Sequence, residues 1–145
     1  MKKFILILED ELERISEMEK LLSADFSGYD IIFFDNTPEM LDWLKVNLEK
    51  TSLICLDHDL GPDRIIKGQM SDPSTGRDIS NYLETQKAVC PVIIHTTNSF
   101  GRDAMKFALQ DAEWNTMVIL PTPEISWIQS SWFKVVQQLL LKGNK

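Results

Sequence analysis

The chain has 145 residues, of which 43% are hydrophobic and 26% are charged, and its formal net charge is −7 at pH 7. This composition is typical of a folded soluble protein, and the length predicts a single domain over residues 1–145 rather than a disordered or multidomain chain. The excess of acidic residues disfavours binding to the backbone of extended nucleic acids and to acidic membrane surfaces.

Two strand and helix units open the chain. The apolar run FILIL at residues 4–8 predicts a buried strand, and apolar residues then recur at helical spacing up to about Ser23. The run DIIFF at 30–34 predicts the second strand. Thr37 as N-cap, with Pro38 at the first helical position, predicts where the second helix begins.

A longer connection distinguishes the third unit. The run SLICL at 52–56 predicts the third strand, and a polar stretch containing glycine and proline, from Gly61 to Gly76, separates it from the third helix. We expect this stretch to be either a lid over a binding pocket or a mobile surface insertion. The run PVII at 91–94 predicts the fourth strand, which leads into a fourth helix.

The fifth unit has the most clearly marked helix. The run TMVIL at 116–120 predicts the fifth strand, Thr122 is the expected N-cap of the helix, and Pro123 is its expected first residue. An apolar stripe at helical spacing predicts the face that packs against the sheet, formed by Ile125, Ile128, Trp132, Val135, Val136 and Leu139.

Five apolar strands that alternate with five amphipathic helices imply a parallel sheet buried on both faces. We therefore expect an α/β fold of the flavodoxin-like, doubly wound type, with five parallel strands in the order 2-1-3-4-5 and helices on both faces. In such sheets ligands bind beyond the carboxyl ends of the strands, where the strand order reverses. The candidate functional residues are consequently those that directly follow each strand.

Cysteine usage and the lengths of the apolar runs indicate the compartment. Cys55 and Cys90 lie in apolar runs without a C-x-x-C spacing, which indicates neither a disulfide framework nor a zinc site. The apolar stretch near the first residue is too short for a signal peptide, and no stretch approaches the length of a membrane span. We therefore expect a cytoplasmic protein.

Acidic side chains follow the first and third predicted strands. In the predicted strand order, Asp10 and Asp57 lie at the ends of neighbouring strands and face one pocket. Crowded carboxylates resist ionisation unless a cation lies among them, and a few oxygen ligands suit Mg²⁺ or Mn²⁺ with water positions left for a phosphate. Glu9 is a further candidate ligand, either direct or through water. The sequence thus predicts a metal and phosphate site.

Several short motifs at the strand ends occur together. They are the acidic pair Glu9 and Asp10 after the first strand, DHDLGP from Asp57 after the third, TG at 75–76 before the third helix, and the hydroxyl of Thr96 after the fourth strand. In these features the chain resembles the receiver domains of two-component response regulators over essentially its whole length. The resemblance implies that Asp57 matches the phospho-accepting aspartate. It also implies that Asp59 either binds the metal through its backbone carbonyl or caps the turn.

The chain departs from ordinary receivers in two places. Leu120 stands where receivers place a lysine that holds the phosphoryl group. The motifs DHDLG at 57–61 and H-x-x-N, formed by His95 and Asn98, are those of a divergent group described as cyclic-phosphate processing receiver domains. The chain is more similar to this group, and the resemblance implies chemistry on a cyclic phosphate.

Both histidines of the chain, His58 and His95, follow central strands. Imidazole gives and takes protons near neutral pH, and opening a cyclic phosphodiester needs one base and one acid. We therefore expect the two histidines to act together on a phosphate whose oxygens are polarised by a cation at Asp10 and Asp57. The alternative is that each histidine is a hydrogen-bonded structural residue.

Three residues after the fourth strand are candidate phosphate ligands. Thr96 and Asn98 offer polar groups, and Arg102 offers a guanidinium that matches phosphate geometry. The alternatives are that Asn98 caps the fourth helix and that Arg102 is a solvated helix residue. Lys67 or Arg64, in the long connection, is a further candidate for the positive charge that Leu120 does not supply.

Three classes of function remain open. The first is a metal-dependent cyclic phosphodiesterase that acts on a small phosphorylated ligand or nucleotide. The second is a stand-alone receiver phosphorylated on Asp57 and served by a histidine kinase or another signalling protein, which the absence of the lysine disfavours. The third is a non-catalytic pseudo-receiver that keeps the fold as an interaction surface.

Overall fold

The computed structural model describes residues 3–143 of the protein. Its strands, in chain order, are β1 (Phe4–Leu8), β2 (Asp30–Phe34), β3 (Thr51–Leu56), β4 (Arg64–Ile66), β5 (Gln69–Ser71), β6 (Val92–His95) and β7 (Thr116–Ile119). Five of these form one parallel sheet in the order β2-β1-β3-β6-β7. In terms of the five sheet strands this is the order 2-1-3-4-5, which confirms the predicted flavodoxin-like fold.

Within the described part of the chain, five α-helices connect and cover the strands. They are α1 (Leu12–Asp25), α2 (Thr37–Asn47), α3 (Gly76–Leu83), α4 (Ser99–Asp111) and α5 (Phe133–Gly143). A 3₁₀ turn at Leu48–Lys50 follows α2, and a π-helical turn at Ile128–Trp132 leads directly into α5. Among residues 3–143, none of the helices has the length and apolar character that a membrane crossing requires.

Two apolar layers bury the sheet. One layer packs Ile7, Cys55 and Ile93 of the sheet against α1 and the α5 side, where Met18 and Trp132 are fully buried. The opposite layer packs alternate strand residues against α2, α3 and α4, through Leu8, Ile54, Ile94, Leu44, Ile79 and Met105. Continuous apolar strands are required because both faces of the sheet are covered.

The N-cap prediction for α2 is wrong by one residue. The side chain of Asn36 accepts a hydrogen bond from the backbone N–H of Glu39 at 2.9 Å, so Asn36 is the cap and Thr37 is the first helical residue. Asn36 has the extended backbone that a cap requires, whereas the hydroxyl of Thr37 reaches Asp78 at 3.4 Å. Asparagine and threonine are both favourable N-cap residues, so the sequence alone did not decide between Asn36 and Thr37.

The predicted start of the last helix is also wrong. The hydroxyl of Thr122 donates to the carbonyl of Glu124 at 3.0 Å, and regular helical structure begins only at Ile128. Because the residue before a proline disfavours helical backbone, Pro121 and Pro123 keep this connection out of the helix. The predicted apolar stripe nevertheless lies against the core, with Ile128, Trp132 and Val136 fully buried.

The long connection after β3 contains a hairpin. Strands β4 and β5 pair antiparallel around Lys67 and Gly68, which have φ values of 53° and 84°. Positive φ at both central residues is the geometry of a two-residue turn that matches strand twist. The predicted polar stretch, a lid or a surface insertion, did not include a hairpin, because a Lys-Gly pair between short runs is a weak hairpin signal.

Candidate metal and phosphate site

Parallel pairing brings the carboxylates together. Leu8 at the end of β1 is in register with Leu56 at the end of β3, and the N–H of Asp57 donates to the carbonyl of Leu8 at 3.1 Å. Glu9 and Asp57, the next residues on each strand, are therefore neighbours. A ligand atom from each of Glu9, Asp57 and His95 lies within 4.8 Å of the others, so these three side chains form a group of metal-binding size.

The surroundings of Asp57 and Asp10 at this end of the sheet disfavour the charged form of each carboxyl group. Burial, with a smaller contribution from the negative charge of Glu9, raises the pKa of Asp57 to about 7. Burial and the same neighbour also raise the pKa of Asp10 above its ordinary value. Both carboxyl groups therefore resist carrying a charge without a cation beside them. A cluster of buried oxygen donors with this property fits a divalent cation.

Glu9 behaves differently because His95 lies against it. Their side chains meet at 3.0 Å between His95 Nε2 and Glu9 Oε1, and neither is exposed to solvent. Burial alone would raise the pKa of Glu9, but the hydrogen bond and charge of His95 hold it below its ordinary value. The second carboxylate oxygen accepts backbone N–H groups of Asp10 and Glu11 at 3.0 and 3.1 Å.

His95 lies behind the carboxylates rather than in the cavity. Its side chain is fully buried, and its ring is 6.0 Å from the ring of Trp127 between centroids. Within residues 3–143, nothing hydrogen-bonds to its Nδ1 atom. The predicted role of His95 in proton transfer would thus have to act through Glu9 or a bound cation, because the ring does not reach solvent.

His58 lies in a separate cluster at the start of α4. Its Nδ1 atom is 3.0 Å from Asp59 Oδ1, and the side-chain amide of Asn98 is 3.2 Å from Asp59 Oδ2 and 3.4 Å from His58 Nδ1. Asn98 also caps α4 by accepting the N–H of Gly101 at 2.8 Å. Asn98 therefore caps α4, as one of the two predictions stated, and also contacts the His58 and Asp59 pair.

Gly101 makes room for the His58 ring. A Cβ atom at Gly101 would lie 2.3 Å from His58 Cδ2, which is closer than any normal contact. The ring is consequently confined between the first turn of α4 and Asp59. The side chain of Asp59 is engaged with His58 and Asn98, and the predicted contact of its backbone carbonyl with a metal stays a prediction.

A polar cavity of about 310 Å³ opens beside the carboxylates. Its lining includes four of the predicted site residues, Asp10, Asp57, Asp59 and Thr96. Neither histidine lines it, and Arg102 instead pairs with Asp103 at 3.3 Å. The structure thus gathers three of the metal candidates and Thr96 at one cavity, whereas Glu9, both histidines, Asn98 and Arg102 lie outside its lining.

Arg14 was missed by the sequence analysis. It is the third residue of α1, and its Nη1 atom lies 3.4 Å from Glu9 and 3.8 Å from Asp57. It also lines the cavity. The available signal was its position four residues after Asp10, since the first turn of a helix that follows a strand faces the same edge of the sheet.

Solved structures share the fold. The phosphorylated cyanobacterial phytochrome response regulator RcpA is similar with a TM-score of 0.71 at 18% identity, covering 97% of this chain and 95% of that chain. The Mn(2+)-bound form of response regulator Rcp1 has a TM-score of 0.61 at 18% identity, covering 90% and 94%. The signal receiver domain of an HD domain-containing protein from Pseudomonas fluorescens Pf-5 has a TM-score of 0.66 at 14% identity, covering 98% and 97%. At such identities the similarity shows the fold alone.

Sequence comparison identifies the family. No curated protein matches the chain. Residues 4–111 match the family described as Cyclic-phosphate processing Receiver domain, and this range contains all the predicted metal, phosphate and proton-transfer residues. The chain therefore belongs to the cyclic-phosphate processing receiver domain family, a receiver domain of the response-regulator type, as the motifs in its sequence implied.

Proposed function

We propose that the protein binds Mg²⁺ or Mn²⁺ at the ends of β1 and β3 and processes a cyclic or nucleotide-like phosphate in the adjoining cavity. The observation that carries this proposal is the pair Asp10 and Asp57, two carboxyl groups with raised pKa values that line one polar cavity. A cation beside them would offset the cost of burial and the charge of Glu9, which together disfavour their charged forms. Among proteins of similar fold, response regulator Rcp1 has a Mn(2+)-bound form.

Asp10, Asp57 and Glu9 would hold the metal, and His95 offers an imidazole next to them. When bound, the cation would polarise the phosphoryl oxygens and offset their negative charge. Glu9 is held in its charged form by His95, so it is ready to bind a cation near neutral pH. In this arrangement His95 acts by fixing Glu9, rather than by touching the substrate.

His58 is the proposed proton-transfer residue: it does not line the cavity itself, but it contacts Asp59, which does. If the ring donates its Nδ1–H to Asp59, Nε2 carries the lone pair and accepts a proton from water or a hydroxyl. A carboxylate in this position also stabilises the protonated ring that forms during the reaction. Asn98 bridges Asp59 and the start of α4, which keeps the pair in place.

The experiment compares the wild-type protein with His58→Asn in the presence of Mn²⁺ or Mg²⁺. Cyclic and nucleotide-like phosphates are supplied as a panel, and products are quantified by chromatography. General acid-base catalysis contributes a factor of about 100 or more, so the variant is expected to lose at least that much turnover. Circular dichroism checks that it folds. Equal turnover by the folded variant and wild type would remove His58 from the mechanism.

A phospho-acceptor role for Asp57 is the second candidate function. The observation in its favour is that Asp57 and Thr96 line one cavity in a chain of receiver fold, and the solved receivers of similar fold include a phosphorylated response regulator, RcpA. Receiver domains interact with kinases and other signalling proteins, so a histidine kinase would be the natural partner. This function predicts that acetyl phosphate adds one phosphoryl group per chain, detectable as a mass increase lost in Asp57→Asn.

The pseudo-receiver alternative predicts no functional cation site. A calorimetric titration with Mn²⁺ distinguishes it, because a vestigial pocket would give no heat that depends on Asp57. Binding that disappears in Asp57→Asn would argue for the first two functions.

A further inference from the structure

The side chain of Arg14 projects from α1 into the cavity that holds Asp57. Its Nη1 atom is 3.8 Å from Asp57 Oδ2, and about a fifth of the side chain, 21%, is exposed. Asp57 itself is only 8% exposed in its side chain, and both residues line the cavity. An anion that approaches Asp57 through the cavity therefore meets a guanidinium group.

Three contacts fix the orientation of that guanidinium. Nε lies 2.7 Å from Glu11 Oε2, Nη1 lies 3.4 Å from Glu9 Oε1, and Cζ lies over the ring of Trp127, 5.3 Å from its centroid. Within residues 3–143, no group accepts a hydrogen bond from Nη2. The guanidinium is thus pre-oriented with one nitrogen free, and a planar fork of N–H donors matches the oxygens of a phosphate.

Three other cations considered for this site are engaged elsewhere. Arg64 donates to the backbone carbonyls of Leu60 and Asp35, and it lies 3.9 Å from Asp10. Lys67 pairs with Asp42 on α2, and Arg102 pairs with its neighbour Asp103. Neither Arg64, Lys67 nor Arg102 lines the cavity, whereas Arg14 does.

We propose that Arg14 is the phosphate-binding cation of this site, donating from its free Nη2 and from Nη1 to oxygens of a phosphoryl group held beside Asp57. This inference rests on the proposed metal and phosphate function. It assigns to α1 the positive charge that Leu120, a hydrocarbon side chain at the end of β7, does not provide. The ligand class is a phosphate monoester, phosphodiester or free phosphate, which share the oxygens that Arg14 would bind.

A purely structural role for Arg14 makes a different prediction. If Arg14 only neutralises Glu9, Glu11 and Asp57, then its removal changes the affinity for a cation and leaves the affinity for phosphate at saturating cation unchanged. If Arg14 binds phosphate, its removal lowers phosphate affinity even when the cation site is full. Measuring the two affinities separately therefore distinguishes the roles.

The experiment uses Arg14→Gln, Arg14→Lys and the control Lys20→Gln. Lys20 is an exposed cation on the same helix outside the cavity, so the control removes the same charge from the chain. Mn²⁺ affinity is measured first without phosphate. Inorganic phosphate is then titrated at saturating Mg²⁺, which is diamagnetic, with the indole N–H signal of Trp127 followed by NMR because that ring lies against Arg14.

We expect Arg14→Gln to weaken phosphate binding about tenfold or more, as loss of a charge-assisted hydrogen bond implies. Arg14→Lys keeps the charge but not the fork, so we expect an intermediate loss, and this variant decides the question if Arg14→Gln does not fold. Lys20→Gln should bind phosphate like the wild type. Mn²⁺ affinity should be unchanged or higher in Arg14→Gln, because a repelling charge has been removed.

Two results overturn the inference in distinguishable ways. If the wild type binds phosphate and a folded Arg14 variant binds it equally well, Arg14 is structural and the proposed function stands. If the wild type binds Mn²⁺ but no phosphate, the proposed function fails and the role of Arg14 fails with it.

Discussion

Asp57 shows most clearly how burial disfavours a charged carboxylate at the end of the sheet. Its pKa is raised to about 7 from an ordinary 3.8, chiefly by burial, while Glu9 adds repulsion and His95 and Arg14 partly compensate. The charged form is therefore costly in the metal-free protein. A cation that bound beside Asp57 would stabilise the charged carboxylate, and this stabilisation would contribute to the affinity for the cation.

The raised pKa of Asp57 predicts how stability depends on pH. The folded protein keeps a proton on Asp57 up to about pH 7, whereas the unfolded chain loses it near 3.8, so the free energy of unfolding falls as pH rises between these values. Asp57→Asn removes this contribution. We measure the free energy of unfolding of the metal-free protein in urea at pH 5 and at pH 8. Its decrease from pH 5 to pH 8 should be smaller in Asp57→Asn than in the wild type, by on the order of 1 kcal/mol or more.

Gly28→Ala is a suitable control for that comparison, since a Cβ at Gly28 meets nothing within 4 Å and the substitution adds no titrating group. Equal pH dependence in wild type and Asp57→Asn would mean that Asp57 is charged in the folded protein at neutral pH.

Some site residues were visible in the sequence and others were not. Glu9, Asp10 and Asp57 were found because they directly follow apolar runs, and the ends of parallel strands meet at one edge. The burial of His95 was not visible, because it depends on Trp127 packing from a distant connection. Arg14 was missed because its position on a helix face carries no motif of its own.

At the scale of elements, the first turn of α4 shapes the surroundings of His58. The backbone at Gly101 approaches the imidazole so closely that only hydrogen fits between them. Asn98 both caps the helix and contacts Asp59. The position of α4 and the orientation of His58 are therefore linked.

This link predicts the effect of Gly101→Ala. Alanine gains up to about 1 kcal/mol in helix propensity over glycine, which offsets part of the clash, so the variant should fold. Its methyl group would displace the His58 ring and break the contact with Asp59, and turnover should fall about tenfold or more, since correct orientation of a catalytic group is worth at least that. Turnover assays and thermal melting, with Gly28→Ala as the matched control, measure both effects. Wild-type turnover in Gly101→Ala would show that His58 is not held as described.

Element boundaries were harder to predict than element types. Every strand of the main sheet was predicted to within one residue at each end, because an apolar run stops where the chain leaves the core. The start of α5 was misplaced because Thr122 and Pro123 carry a helix-start signal that Pro121 and the burial of Trp127 override. The hairpin of β4 and β5 was missed because its strands are only three residues long.

At the scale of the whole molecule, topology creates the site. The strand order places the ends of β1 and β3 side by side, with Arg14 of α1 next to Glu9 and Asp57 and with Trp127, from the connection after β7, next to His95. The acidic net charge of −7 opposes the long-range approach of a phosphate, and the guanidinium of Arg14 at the cavity offsets that repulsion locally. The fold and the meeting of Glu9 and Asp57 at one edge of the sheet followed from the sequence pattern, whereas the separation of the two histidines required three-dimensional contacts.

The central claim is that Asp57 holds a metal for chemistry on a phosphate rather than accepting a phosphoryl group. Phosphorus NMR distinguishes turnover of a cyclic phosphate from phosphorylation of Asp57. The wild-type protein is studied with diamagnetic Mg²⁺ instead of Mn²⁺, first with a cyclic nucleotide-type phosphate and then with acetyl phosphate. We expect product from the cyclic phosphate to exceed the amount of protein many times, only when Mg²⁺ is present. No conversion of any cyclic phosphate, together with one phosphoryl group per chain from acetyl phosphate, would contradict the claim.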